Sequence, residues 1–326
     1  MSTASADMSK RELKRREKLR KSKETGKLIF QANRDVPLYI MLLPALAILF
    51  TFVYIPIYGV SIAFQNFSPF KGYLGSDWVG FEHFRYFLTD RTFWMVMRNT
   101  ILINIYGIFW GFPAPIIFAL LLNEIQRTKI KKSIQTISYL PYFVSWVVAA
   151  SIITSVFSPA TGIVNRIMVN VFGMEPIYFL TKTEYFRSIV VGADIWKGIG
   201  MGAVYYISAI TQVDQELYEA AKIDGAGRLK QTWHITLPGI SGIITVLLVL
   251  RIGSMITIGF ENIFLLYNPV VYSVADVIST YTYRLGIEGA QFSRTSAIGL
   301  TQSIVNFILV YTANRAARKL AGWSLW

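Results

Sequence analysis

The sequence has no cysteine, two histidines and little charge. Without cysteine there is no disulfide scaffold, thiolate metal site or cysteine nucleophile. His83 and His234 are far apart and match no ligand spacing, so no metal site is expected. Asp, Glu, Lys and Arg make up 16% of the 326 residues. A water-soluble domain carries about 25%, so too little charge is present to coat a soluble surface of this size. No Gly-x-x-x-x-Gly-Lys-[Ser/Thr] cradle occurs, which excludes a P-loop nucleotide site on this chain. No His-Glu-x-x-His or Gly-x-Ser-x-Gly run is present either. These absences leave no catalytic residues and point away from an enzyme.

What is present is apolar: 53% hydrophobic and 15% aromatic residues, with a mean hydropathy of +0.44. A helix crosses a bilayer with about 20 mostly apolar residues. Six stretches qualify, at roughly 37–64, 95–122, 134–157, 189–210, 239–262 and 296–313. The fold class is therefore an all-α integral membrane protein with six transmembrane helices. Pro37, Pro44 and Pro56 predict a bent or tilted first span. Trp78, Trp94, Trp110, Trp146 and Trp196 read as interfacial aromatics. Gly107 and Gly111 form a Gly-x-x-x-Gly that lets helices pack closely.

The formal charge of +13 is unevenly distributed. With the N-terminus inside, the inner segments hold 21 Lys and Arg and the outer segments 8, while Arg98, Lys197 and Arg251 fall in or near spans. The positive-inside rule then puts both termini in the cytoplasm. Eleven of the cations lie in residues 1–36, a basic tail attracted to membrane lipids by about 1 kcal/mol per cation. Cations concentrated there, rather than along a folded face, argue against a nucleic-acid partner. The tail is too long, and the apolar run after it too long, for a cleaved signal peptide.

The acids Glu124, Asp194, Glu261 and Asp276 are expected near span ends or in loops. A secondary carrier working without ATP is the alternative reading. It calls for a mid-span acid and inverted repeats, and the sequence offers neither.

Residues 211–238 form a long inner loop. Asp214 is an N-cap, Glu216 to Lys222 are helix formers, and Gly225 and Gly227 end that helix and allow a sharp turn. A second helical piece leads to Pro238, at the start of the fifth span. The expected product is a helix-turn-helix across the inner mouth, with Ala220 and Ala221 small enough for another protein to approach.

This loop resembles a known signature. Glu219-Ala220-Ala221, three residues, Gly225, nine residues and Ile235-Thr236-Leu237-Pro238 match the EAA motif of bacterial ABC importer permeases. Residues 216–226, Glu-Leu-Tyr-Glu-Ala-Ala-Lys-Ile-Asp-Gly-Ala, resemble the form found in the carbohydrate-uptake branch, with Asp214 where many members have proline. Trp196-Lys197, Gly259-Phe260-Glu261, Ala275-Asp276-Val277-Ile278, Tyr281-Thr282-Tyr283-Arg284 and Ser324-Leu325-Trp326 look like the subgroup importing uronate-type oligosaccharides such as polygalacturonate or alginate.

The resemblance implies a type I importer permease fold in the bacterial inner membrane, with 37–326 as the six-span domain. It implies that Glu219, Ala220, Ala221, Asp224, Gly225, Ile235, Leu237 and Pro238 couple to a separate ATPase. The implied partners are a second homologous permease, two ATP-binding subunits and an extracytoplasmic solute-binding protein. ATP and Mg would sit on those subunits, leaving no cofactor on this chain.

A substrate pathway needs inward polar groups. Asn99, Thr100 and Asn104 in the second span, Arg251, Thr257, Glu261 and Asn262 in the fifth, and Thr301, Gln302 and Asn306 in the sixth are candidates. Gln302 and Asn306 share a helix face. Arg251, about twelve residues into its span, is expected near mid-bilayer, where a charge costs at least about 2.5 kcal/mol. It must pair with a carboxylate or line a wet cavity, and a guanidinium that forks onto carboxylates suits an acidic oligosaccharide. A neutral oligosaccharide is the alternative cargo.

Overall fold

The computed structural model describes residues 36–257 and 259–325. The basic segment 1–35 read from the sequence lies outside them. The chain divides into two compact units, Met1–Ser61 and Ile62–Trp326.

In the first unit, residues 36–61 belong to α1, the 29-residue apolar helix Val36–Phe64, none of whose apolar window is buried. A π-turn at Phe50–Tyr54 precedes Pro56, which takes a first-turn position of the next helical segment, where its missing N–H leaves no bond unmade. The helix is continuous through its prolines.

The second unit is helical apart from one short antiparallel pair, β1 Gln65–Asn66 with β2 Asp77–Trp78. Helix α2 is Glu82–Thr89 and α3 is Arg91–Asn123. Asp90 separates them and caps α3, accepting from Thr92 N at 2.9 Å. Helix α4, Thr128–Phe143, meets α5, Trp146–Val156, at 104°. Three features make that corner: Pro141 in the last turn of α4, Ser145 capping α5, and the Lys197 ammonium. Lys197 Nζ donates to the carbonyls of Pro141, Tyr142 and Val144 at 3.3, 2.8 and 2.5 Å. A cation is favourable at a helix C-terminus, where carbonyls lack partners.

The short apolar helix α6, Ile163–Phe172, closes on a left-handed Gly173. Then come α7, Thr183–Ile210, α8, Gln215–Ile223, and α9, Arg228–Gly239, which turns by 61° into α10, Ser241–Gly253. Helices α11, Phe260–Phe264, and α12, Ile278–Tyr283, precede α13, Phe292–Ala321.

Helix α7 packs against the second half of α3 and against α4, and α10 packs against α13. Small residues let these backbones approach, as expected where lipid removes the usual hydrophobic drive. A Cβ on Gly200 would fall 2.1 Å from Ser138 O, and one on Gly253 would fall 2.1 Å from Val310 Cγ2. The core forms three clusters: around Phe186, Val190 and Ile263; around Phe87, Phe93 and Ile298; and around Ala203, Tyr206 and Ile240.

Of the six expected spans, three to five are supported by helix length and composition among the described residues. Among the described residues, α1, α3 and α13 are long and apolar enough to cross a membrane, and each bent pair can supply one more. The third stretch is broken at Val144–Ser145, and the fifth bends at Ile240 and loses its helix after Gly253. The stretch 189–210 lies within a 28-residue helix whose Asp194 and Lys197 lower its hydropathy. Asp194 thus lies well inside this helix, with helical residues on both sides.

Candidate functional site

Residues 211–239 form the expected helix-turn-helix. Asp214 caps α8 by accepting from Glu216 N at 2.9 Å. The helix ends in a Schellman motif. Ala226 N–H donates to Ala221 O at 2.8 Å, and Gly225 N–H donates to Lys222 O at 3.1 Å. Gly225 takes φ +73°, a left-handed conformation that favours glycine. Gln231 Nε2 closes the turn on Ala226 O at 2.7 Å. The hydroxyls of Tyr218 and buried Thr236 share a 2.9 Å hydrogen bond that ties α8 to the π-turn Thr232–Thr236 of α9. Gly239 admits Val213, whose Cγ2 would lie 2.8 Å from a Cβ there.

The two helices are thus closed on each other through backbone and polar contacts, and their other face is left open. Glu219, Ala220, Asp224, Gly225 and Pro238 are exposed, while Ala221, Ile235 and Leu237 are half-buried. Ile223 is 87% and Leu229 78% exposed, beside exposed Leu217 and Trp233. Large apolar side chains exposed in this number on two short helices are what an interaction surface offers.

A cavity of about 420 Å³ lies between α3, α5, α7 and the α10–α11 break. Its polar lining is Asp194, Arg251, Thr257 and Asn262; Gly107, Trp146 and Gly198 complete the wall. Asn262 Nδ2 donates to both Asp194 oxygens at 3.0 and 3.1 Å. Arg251 Nη2 would be 3.1 Å from a Cβ on Gly107, so the guanidinium occupies the space a glycine leaves at the α3 π-turn Gly107–Gly111. Arg251 and Asp194 line the same cavity, yet among the described residues the two make no ion pair. Such a site offers a guanidinium, a carboxylate, an amide and an indole, a set able to hydrogen-bond and stack on a sugar ring.

Of the candidate pathway residues, Arg251, Thr257 and Asn262 meet at this cavity. Arg251 sits in the last turn of α10, next to the break. Gln302 and Asn306 share a face and brace that break: Gln302 Nε2 donates to Ile256 O at 3.1 Å, Asn306 Nδ2 to Thr257 Oγ1 at 2.8 Å, and Ile256 N to Asn306 Oδ1 at 3.3 Å. Buried Asn104 donates to Thr100 O of its own helix at 2.9 Å, and Thr301 bonds to Ala297 O. Glu261 is exposed in the first turn of α11. Sequence reasoning misses Asp194 and Trp146 as lining residues. The signal available for Asp194 is a charge within an apolar helix, which calls for a partner or a wet cavity.

A second polar cluster lies toward the N-terminal ends of α3 and α7. Buried Asn99 donates to Ser273 O at 3.1 Å and Asp276 O at 3.0 Å. Its Oδ1 accepts from Arg187 Nη2 at 2.9 Å and Arg98 Nη2 at 3.3 Å. Buried Asp276 is bound by Arg284 Nη1 at 2.9 Å and Thr280 Oγ1 at 2.6 Å, and Thr100 Oγ1 accepts from Ile278 N at 3.0 Å. The Asp276 carboxylate holds the Arg284 guanidinium further toward its charged form.

Residues 111–321 match the family model of the binding-protein-dependent transport system inner membrane component. The chain is 44% identical over 287 residues to Protein LplB of Bacillus subtilis (strain 168), covering 88% of this chain and 90% of that one. It is 42% identical over 299 residues to the polygalacturonan/rhamnogalacturonan transport system permease protein YteP of the same organism, covering 92% and 93%. A crystal structure of a bacterial alginate ABC transporter, in complex with an alginate pentasaccharide-bound periplasmic protein, contains a chain with TM-score 0.82 and 39% identity; the match covers 90% of this chain and 98% of that one. The chain belongs to the binding-protein-dependent transport system inner membrane component family and is an ABC transporter permease of the sugar-uptake kind.

Proposed function

We propose that this chain forms half of the translocation pathway of an ATP-driven oligosaccharide importer in the bacterial inner membrane. A second homologous permease supplies the other half. Two ATP-binding subunits, which carry ATP and Mg, lie beneath, and an extracytoplasmic solute-binding protein delivers the cargo. The observation that carries this reading is the coupling loop: a rigid helix pair with an apolar open face, on a chain without a nucleotide motif. A permease lacking its own ATP site needs such a lever to receive an ATPase's motion.

The six-span arrangement with cytoplasmic termini is supported by three apolar helices, two bent pairs and α7. With a rise of about 1.5 Å per residue, α7 is long enough to cross. Its two charges are satisfied internally, by Asn262 and by the α4 carbonyls. The distribution of cations, 21 against 8, supports the orientation. Residues Glu219, Ala220, Ala221, Asp224, Gly225, Ile235, Leu237 and Pro238 are assigned to ATPase contact. ATP-driven closure draws the two coupling loops together and opens the cavity outward; hydrolysis resets it.

The cargo we favour is a uronate-type oligosaccharide, since Arg251 faces the cavity and relatives are named for polygalacturonan and alginate transport. A neutral oligosaccharide is the competing reading, favoured by Asp194, a carboxylate lining the same cavity as Arg251. The deciding experiment reconstitutes this chain with its permease partner, ATP-binding subunits and binding protein in vesicles. Uphill accumulation of oligogalacturonate or oligoalginate is expected with ATP and not without it. Uphill accumulation by this chain alone overturns the reading.

A further inference from the structure

Arg98 and Arg187 converge on a single neutral acceptor. Both donate through Nη2 to Asn99 Oδ1, at 3.3 and 2.9 Å, so one amide oxygen holds the two cations side by side. Their other bonds go to backbone carbonyls: Arg98 Nη2 to Ser273 O at 3.0 Å and Arg187 Nε to Val274 O at 3.3 Å. Each guanidinium has five N–H donors, and the remaining ones have no protein partner among the described residues. No carboxylate answers either charge: the only ion pairs among the described residues are Lys71–Asp77, Arg228–Glu124 and Arg284–Asp276. The nearby acid, Asp276, is already taken up by Arg284 and Thr280. Arg98 is exposed and Arg187 half-buried, so the pair remains open to a ligand.

Two like charges held together by one amide oxygen form a ready site for an anion. Guanidinium pairs bind carboxylates through paired N–H donors. Their position adds direction. Arg187, Val191, Asp194 and Gly198 follow one face of α7 at helical spacing, so Arg187 stands two turns, about 10 Å, from Asp194 toward the helix start. Val191, Asp194 and Gly198 line the central cavity.

We propose that Arg98 and Arg187 form an outer carboxylate-binding site that engages an acidic sugar residue of the cargo before it reaches the cavity at Arg251. This rests on the acidic-cargo reading above and adds a second anion site to it. Asn99 is the positioning residue: it holds both guanidiniums and is anchored to the short helix Tyr272–Ala275 and its cap Asp276.

The test measures ATP-driven uptake by the assembled importer in vesicles, using an oligogalacturonate and its neutral methyl ester. In the R98Q/R187Q double variant, KM for the acidic oligomer should rise about tenfold, with uptake of the ester at the wild-type level. R98K/R187K, which keeps the charge but loses the fork, should give a smaller rise. An equal loss for acid and ester, including through poor assembly, marks a purely structural role and overturns the site, as does an unchanged KM. R251Q is run in parallel. If R251Q lowers acid preference and the double variant does not, this inference alone fails. If the wild-type importer shows no preference for the acid, the acidic-cargo reading fails and takes this site with it.

Discussion

The coupling loop and the central cavity hold their side chains in opposite ways. The loop is defined by its backbone: one cap, one Schellman turn and one left-handed glycine fix two short helices within a single stretch of chain. Glu219, Ala220, Asp224, Gly225 and Pro238 are then exposed, while Ala221, Ile235 and Leu237 are half-buried. The cavity is defined by packing between distant segments, from Gly107 to Asn262. Its charged groups are held by distant residues, Arg251 in the gap that Gly107 leaves and Asp194 by the Asn262 amide. A region built on backbone geometry fails when one dihedral is forbidden, whereas a region built on packing changes its selectivity before it fails.

The sharpest way to break the contrast is Gly225→Val. A β-branched residue in the left-handed conformation of Gly225 is strained by about 1–2 kcal/mol, and no neighbouring atom within 4 Å would otherwise oppose it. ATP-driven uptake should be nearly abolished while the permease pair still assembles, measured in vesicles and by size-exclusion chromatography. Normal uptake would show that the turn is not what the ATPase grips. Arg251→Gln should have a smaller and selective effect: about tenfold weaker uptake of acidic oligomers, equivalent to about 1.4 kcal/mol, with neutral oligomers little changed. Equal loss of both cargoes would make Arg251 a structural residue. The smallest effect on uptake is expected from Lys197→Met, which removes a charged donor from the α4 carbonyls at a cost in stability of about 1–3 kcal/mol. It should lower the melting temperature in detergent without changing cargo preference; an unchanged melting temperature would show that the corner holds itself.

The same contrast explains what can be read from the sequence. The loop is legible because its cap, helix formers, glycines and proline lie in order along one stretch, and each acts on neighbours a few residues away. Helix α3 is legible within a few residues of its ends and α13 at its start, whereas residues 314–321 of α13 fall beyond the apolar stretch. The corners are not. Residues 134–157 look like one apolar run; Pro141 and Ser145 stand within it, but the third part of the corner, Lys197, comes from more than fifty residues away. The helix lost after Gly253 is likewise set by α13: Val310 presses on Gly253, and Gln302 and Asn306 take over backbone groups that α10 releases. Asp194 reads as terminal because composition gives a span's extent but not which residues its partners neutralise.

Gly200 lets the main chains of α7 and α4 touch at Ser138, and Lys197 clamps the same pair one turn away. No side chain separates the two rods there, so neither can slide or roll without carrying the other. Since α7 runs on into the segment that bears Asp214, a torque on the small helices that follow would, under the proposed function, reach Asp194 with little slack. The gearing between the proposed ATPase contact and the cavity would then be set by the absence of a single methyl group.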